Sequence, residues 1–453
     1  MKEAFATFVG ISVLIGLLVL GVAQNSLLFS AAALVVAIGL TVLVAVGPER
    51  MGIGLMLLGM LMAPMNALGV AGNITVSDVF FVLGFGLLLP RMLTSGRPKL
   101  PPLYVVGISI LFTGGMISSL LAPDVVASLI GFVKIIAATM VLVFVMNVLR
   151  PSGKLLDALA WSYVGGQMIS TAYSVAKGSA GMAQGRAIGL TQQPNFYGLG
   201  GQIAYALLIY LFYRVQPKNR WIVLGAMAVV GYSVLNSGSR ASLICCALIT
   251  VVWPIVERSA IAWYTIITGG IAAVLGAQAL LGALGQVTVL DRLNGNLSAQ
   301  YSDQARTLLL NQGIALFWEH PLQGNGWSKD TILAFHNAYL EVAVGGGVLT
   351  LLGFVLVVAA LVKPLFQKGT PNRLAYAGLS YAAFGMIGPT LYDRIVWAAL
   401  ALILVTYDGT PKEPAPPLGM RRRTVRGTDD TPEAAAGTHP ADAVTKPPPR
   451  SIR

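Results

Sequence analysis

The sequence predicts an all-α polytopic membrane protein with twelve to fourteen spanning helices, and three observations carry that expectation. Charged residues make up 11% of the 453 and hydrophobic ones 56%, whereas a soluble globular domain is about 25% charged. Apolar runs near the ~20 residues needed to cross a bilayer as a helix follow one another almost without pause. The basic residues alternate between loops, and lysine and arginine favour the cytoplasmic side. With the N-terminus inside, "PER", "RMLTSGRPK", "RPSGK", "YRVQPKNR", "ER" and "KPLFQKGTPNR" all fall in inner loops.

The spacing places helices near 4–22, 28–46, 51–65, 76–93, 103–121, 126–149, 155–176, 195–213, 220–236, 241–257, 260–280, 337–362, 373–391 and 394–408. The first apolar run leads at once into a second without a small-residue cleavage pattern, so it reads as a retained helix and not as a removed signal peptide. Cys245 and Cys246 are adjacent. Neighbours in a helix make no ordinary disulfide and two cysteines make no metal cage, so they read as packing residues. Residues 1–410 form the membrane domain. From Pro411 to Arg453 the chain is rich in Pro, Ala, Thr and charge, with "RRRTVR" near its start. It reads as a disordered basic cytoplasmic tail that meets anionic lipid headgroups. The net charge of +12 then follows largely from topology and calls for no nucleic acid.

Unusual residues gather on the outer side. Two outer segments, about Lys177–Pro194 and Leu281–Phe335, are too long for turns, and long connections in compact proteins are usually functional or disordered. The second holds a helical stretch around Ser302–Trp318 and the turn-rich "HPLQGNGW", so residues 281–336 read as a partly helical extracytoplasmic cap. The outer basic residues are Lys177, Arg186, Arg240, Arg292, Arg306, Lys329 and Arg394. Arg240 closes "NSGSR" at the start of a helix, where Ser239 and free backbone N–H groups make an anion site or simply a capped turn. Arg186 in "GRAIGLTQQPN" is a second candidate, against a solvated loop position. Arg306 lies one turn after Asp303, and a local ion pair is its plain explanation; Arg292 beside Asp291 invites the same one. Lys134 is the single charge inside an apolar helix, and such charges often mark functional sites.

His336 in "FHNAYLEVAVGGGVL" stands where the cap re-enters the bilayer. With an ordinary pKa near 6.5 it is suited to take a proton from a hydroxyl. Asn337 is placed to cap the next helix or orient a substrate, and Glu341 to order the imidazole about a turn on. His320 and His439 have weaker claims. Several arginines and one histidine at the mouth of a helix bundle suit a reaction on a lipid-anchored phosphate donor. No DxD or HExxH pattern occurs in the outer segments, which favours a mechanism without a metal or other cofactor.

"RAIGLTQQPN", "NSGSRASL", "ARTLLLNQGIALFWEHPLQGNGW" and "FHNAYLEVAVGGGVL" together resemble, in order and topology, the O-antigen ligase and O-antigen polymerase superfamily over roughly residues 60–405. The resemblance implies a GT-C-like bundle and a metal-independent inverting glycosyltransferase of the cytoplasmic membrane. Such an enzyme passes a glycan from an undecaprenyl-diphosphate carrier to an acceptor hydroxyl outside. It implies that Arg240 and Arg306 hold the donor diphosphate, that His336 is the general base, and that Arg186 is a further phosphate or sugar contact. Implied partners are the lipid-linked glycan, an acceptor glycan or second repeat unit, and a flippase or chain-length regulator. Ligase and polymerase share these signals. Two other classes stay open: a solute transporter, whose polar groups would sit near the bilayer midplane, and a non-catalytic scaffold of a polysaccharide export complex.

Overall fold

The computed structural model describes residues 27–405 except 72–73, 95–98, 179–181, 184, 261–262, 265, 271–275, 277–288, 296, 329–334 and 368–371, plus isolated positions before residue 27. The expected helix at 4–22, most of the one at 260–280, Lys329, His439 and the 411–453 tail therefore lie outside the described residues.

The chain is all-α. Helices α1 (Leu27–Val46) and α2 (Pro48–Met62) lead to a short antiparallel ribbon of β1 (Gly69–Ala71) and β2 (Ile74–Thr75), then to α3 (Val76–Thr94), α4 (Pro102–Leu121) and α5 (Val125–Leu149). Helix α5 carries one π turn, Ala137–Val141, just after Lys134. Helix α6 (Gly153–Lys177) and the ribbon of β3 (Met182–Ala183) and β4 (Arg186–Ala187) precede α7 (Pro194–Arg214), α8 (Arg220–Asn236) and α9 (Arg240–Glu257). Then come α10 (Val289–Leu293), α11 (Leu297–Glu319), α12 (Ala338–Val362), α13 (Ala375–Phe384) and α14 (Arg394–Val405).

Local chemistry sets these ends. Pro48, Pro102 and Pro194 take first helical positions, where their missing N–H costs nothing. Asp124, Ser152, Ser239 and Asn337 cap α5, α6, α9 and α12 through side-chain oxygens. Helix α13 stops at Phe384, short of the expected 391, because Gly385, Gly388 and Pro389 follow and the chain turns there.

Among the described residues five helices are long and apolar enough to cross a membrane: Pro102–Leu121, Val125–Leu149, Pro194–Arg214, Arg240–Glu257 and Ala338–Leu365. Helix α7 is the innermost of them, with 83% of its apolar window buried. Around it, large side chains such as Val105, Leu121, Val133 and Ile255 stay exposed, as they do when lipid is the solvent. Helices α4 and α12 approach closely through small residues. A Cβ at Gly107 would stand 2.8 Å from the Val357 amide nitrogen and 3.0 Å from the Gly353 carbonyl oxygen, the close backbone contact that small residues permit between membrane helices. Ion pairs tie helix ends together: Glu49 with Arg91, Asp157 with Arg214 at 2.9 Å, and Glu257 with Arg373 at 2.7 Å. Each joins ends that the basic-residue alternation puts on one side.

Helix α12 is broken at Gly347, whose φ of 72° suits glycine. The turn after α11 fills the break. The Val348 N–H donates to the Pro321 carbonyl at 2.8 Å, Asn325 N–H to Val344 at 2.8 Å and Gly326 N–H to Gly345 at 3.0 Å. A Cβ at Gly347 would collide with the Leu322 carbonyl. The same turn reaches α4 and α5. Gly326 N–H donates to Ser118 Oγ (3.1 Å), Trp327 N–H to Ser128 Oγ (2.8 Å), and the Trp327 ring stacks on Phe132 with centroids 5.7 Å apart. This clasp fixes α11 against the start of α12, and those two elements carry the site.

Candidate functional site

A cavity of about 260 Å³ is lined by Arg186, Gln193, Pro194, Asn195, Ser302, Ala305, Arg306 and His336. Its walls are β4, the start of α7, one face of α11 and the residues just before α12. Segments far apart in sequence therefore meet.

Arg186 is buried. Its Nε donates to the Ser237 carbonyl at 2.9 Å and an Nη to Asn195 Oδ1 at 2.8 Å. Arg292 is 2% exposed and donates to the next carbonyl, Gly238, at 2.9 Å. Two arginines thus grip consecutive carbonyls of the "NSGSR" turn from different elements. Gly238 takes φ 61°, and a Cβ there would come within 2.9 Å of Arg186 Nε. Ser239 then caps α9 by accepting from Ser242 N–H at 3.4 Å, and Arg240 is the first helical residue.

The expected local pair of Arg306 with Asp303 is replaced by a longer-range one: Asp303 pairs with Arg240 of α9. Arg306 faces the cavity instead. Arg292 is not a solvated residue; it is a buried member of the cluster. The guanidinium groups repel one another. Burial, then Arg292, Arg306 and Arg240, pull Arg186 down to about 9. Burial, then Arg240, lower Arg306, with Asp303 opposing. Burial, then Arg240 and Arg306, lower Arg292. All four remain cations at neutral pH. Among the described side chains one carboxylate, Asp303, stands against them, so a buried multivalent anion would offset their repulsion.

His336 is half-buried with φ 55°, a left-handed conformation that is uncommon for non-glycine residues and recurs at functional sites. The backbone on either side holds it there. Ala338 N–H donates to the Gly385 carbonyl at 2.7 Å, and Asn337 Oδ1 accepts from Leu340 N–H at 3.0 Å. Imidazole Nδ1 has no hydrogen-bond partner among the described residues. Burial, and then the Arg306 charge, push the imidazole below its ordinary value, so it is neutral and basic at pH 7.

Asn337 acts as a helix cap, one of its two expected roles. Glu341 does not order the imidazole. Its carboxylate is buried with Oε1 unpartnered, and it lies in the field of Asp393 and near the Phe335 backbone amide. Lys134 is half-buried on α5 and does not line the cavity. Of the remaining outer basic residues, Lys177 lies over the Tyr173 ring and Arg394 pairs with Asp78 at 3.3 Å. His320 is exposed beside Gln323. Gln193, Asn195 and Ser302 are cavity residues that the sequence reading passed over; Asn195 alone had a signal, its place at the end of "RAIGLTQQPN" behind a helix-starting proline. Comparison with protein-family models and with curated proteins yields no match to this chain.

Proposed function

We propose that this protein is a membrane glycosyltransferase of the O-antigen ligase or polymerase type. It moves a glycan from an undecaprenyl-diphosphate carrier to an acceptor hydroxyl at the outer face of the cytoplasmic membrane. In this reading the apolar helices belong to a GT-C-like bundle of twelve to fourteen spans with both termini cytoplasmic, and residues 281–336 cover its outer end. The observation that carries the reading is the single cavity on which Arg186, Arg306 and His336 converge, with Arg240 and Arg292 close enough to act on its charge.

The chemistry follows from that arrangement. The neutral imidazole of His336 accepts the proton of the acceptor hydroxyl as its oxygen attacks the anomeric carbon. The bond from that carbon to the diphosphate oxygen breaks on the opposite face, which inverts the centre. The electron pair leaves with the diphosphate, whose growing charge Arg186, Arg306 and Arg240 stabilise more strongly in the transition state than in the ground state. A rigid anion cradle does the work that a metal ion does elsewhere.

The test is transfer in liposomes from a lipid-diphosphate oligosaccharide, with chelator present, comparing wild type with Arg306→Ala and His336→Ala. Lengthening of the lipid-linked glycan, lost in both variants while both stay folded, supports a polymerase; transfer to a separate acceptor supports a ligase. Equal activity in all three proteins rejects the assignment.

A further inference from the structure

We infer that the C-terminal half of α11 and the turn after it form a re-entrant element inside the bilayer, with the ridge Leu310, Ile314, Trp318 and Leu322 facing lipid acyl chains.

The depth follows from contacts with α12. Arg306 shares the cavity with His336. About two turns later, a Cβ at Gly313 would lie 2.7 Å from Leu340 Cδ2 and 2.9 Å from Phe335 Cδ1. Pro321 then bonds Val348. The two helices therefore advance side by side in the same direction, α11 from 306 to 321 and α12 from 336 to 348. The apolar span of α12 runs Ala338–Leu365. At 1.5 Å per residue, Val348 to Leu365 covers about 25 Å, less than the ~30 Å thickness of the hydrocarbon layer. Val348 is therefore inside that layer, and so is the turn bonded to it.

Two independent features agree with that depth. Irregular backbone at membrane depth persists only where protein satisfies its polar groups. The Asn325, Gly326 and Trp327 N–H groups donate to Val344, Gly345 and Ser128. On the other flank, residues 310, 314, 318 and 322 repeat every four positions along one ridge, carry no charge, and are exposed, Trp318 to 69% and Leu322 to 76%. They continue the apolar surface of α12 at Val348, Leu349 and Leu352, which is exposed as well. Glu319, His320 and Gln323 are exposed too. Helical spacing sets Glu319 about 100° round from Trp318, on the flank that also bears Gln312, so that side faces water. The helix separates lipid from an aqueous vestibule and carries the arginine cavity at its upper end, which places an anionic lipid headgroup within reach of Arg306.

The inference rests on the membrane-spanning character of α12 and not on glycan transfer, so an inactive protein still tests it. Nitroxide labels are placed at Leu310→Cys, Ile314→Cys, Trp318→Cys and Leu322→Cys, with Cys245 and Cys246 replaced by alanine, in liposomes. Collision with dissolved oxygen is expected to exceed collision with a water-soluble nickel chelate severalfold at all four, and the order to reverse at Gln312→Cys. Nickel dominating at Ile314 and Trp318 overturns the inference. Should a labelled variant not fold, tryptophan quenching by lipids brominated along the acyl chain is read in wild type and Trp318→Phe. A quenched component that disappears in the variant is expected, and identical quenching in both overturns it.

Discussion

Arg240 at the start of α9 pairs with Asp303 of α11, joining the turn gripped by Arg186 and Arg292 to the helix that carries Arg306. Among the described side chains Asp303 is the one carboxylate in this group of cations, and it is half exposed. It occupies a position that an incoming anion wants. Asp303→Asn should therefore lower the donor KM about threefold to fivefold, the equivalent of less than about 1 kcal/mol for a partly exposed pair, and leave kcat near wild type. Initial rates against donor concentration give the answer; a raised KM means that Asp303 organises the site instead of competing for it.

Arg292 is the buried cation whose charge reaches the site while its donor holds Gly238. Arg292→Gln keeps an N–H for that carbonyl and removes the charge. The donor KM should rise about tenfold, or ~1.4 kcal/mol, and Arg292→Lys should recover part of it. A glutamine variant with wild-type KM and a lowered melting temperature assigns Arg292 to folding alone.

The clasp at the break in α12 sets the spacing of Arg306 and His336. Gly347→Ala demands a left-handed alanine, which costs about 1–3 kcal/mol in backbone strain, and adds a collision with the Leu322 carbonyl. A clear fall in melting temperature is expected, with transfer lost more than stability. An unchanged melting temperature shows that the break relaxes without harm.

Because burial and Arg306 depress the imidazole of His336, it stays unprotonated through neutral pH and gains its proton only below its ordinary value near 6.5. The acid limb of kcat/KM, which reports the free enzyme, should therefore lie below pH 6.5, with a plateau above it. A limb above pH 6.5 places the essential base elsewhere.

The helices were legible because apolar runs, prolines and caps act locally: α8 spans the expected 220–236, and α3, α4 and α6 depart from expectation by no more than two residues at either end. Ser239 and Asn337 cap helices for the same reason. Arg306 and His336 could be singled out from motif order, but their shared cavity depends on the clasp between Gly347 and the 321–327 turn, which no periodicity reveals. The role of Arg292 was not legible: the carbonyl it donates to, Gly238, is 54 residues away. Asp303 misled similarly, since helical spacing offers Arg306 while the fold supplies Arg240.

The central claim is that His336 is the base in transfer from a lipid diphosphate, and chemical rescue tests it most directly. In liposomes with the lipid-linked donor, His336→Ala should lose about 10²–10⁴ in transfer rate, the range for general-base removal. Added imidazole should restore part of that rate with a dependence on the neutral form. A His336→Ala protein that transfers as fast as wild type, or one that is inactive and indifferent to imidazole while still binding the donor, contradicts the account.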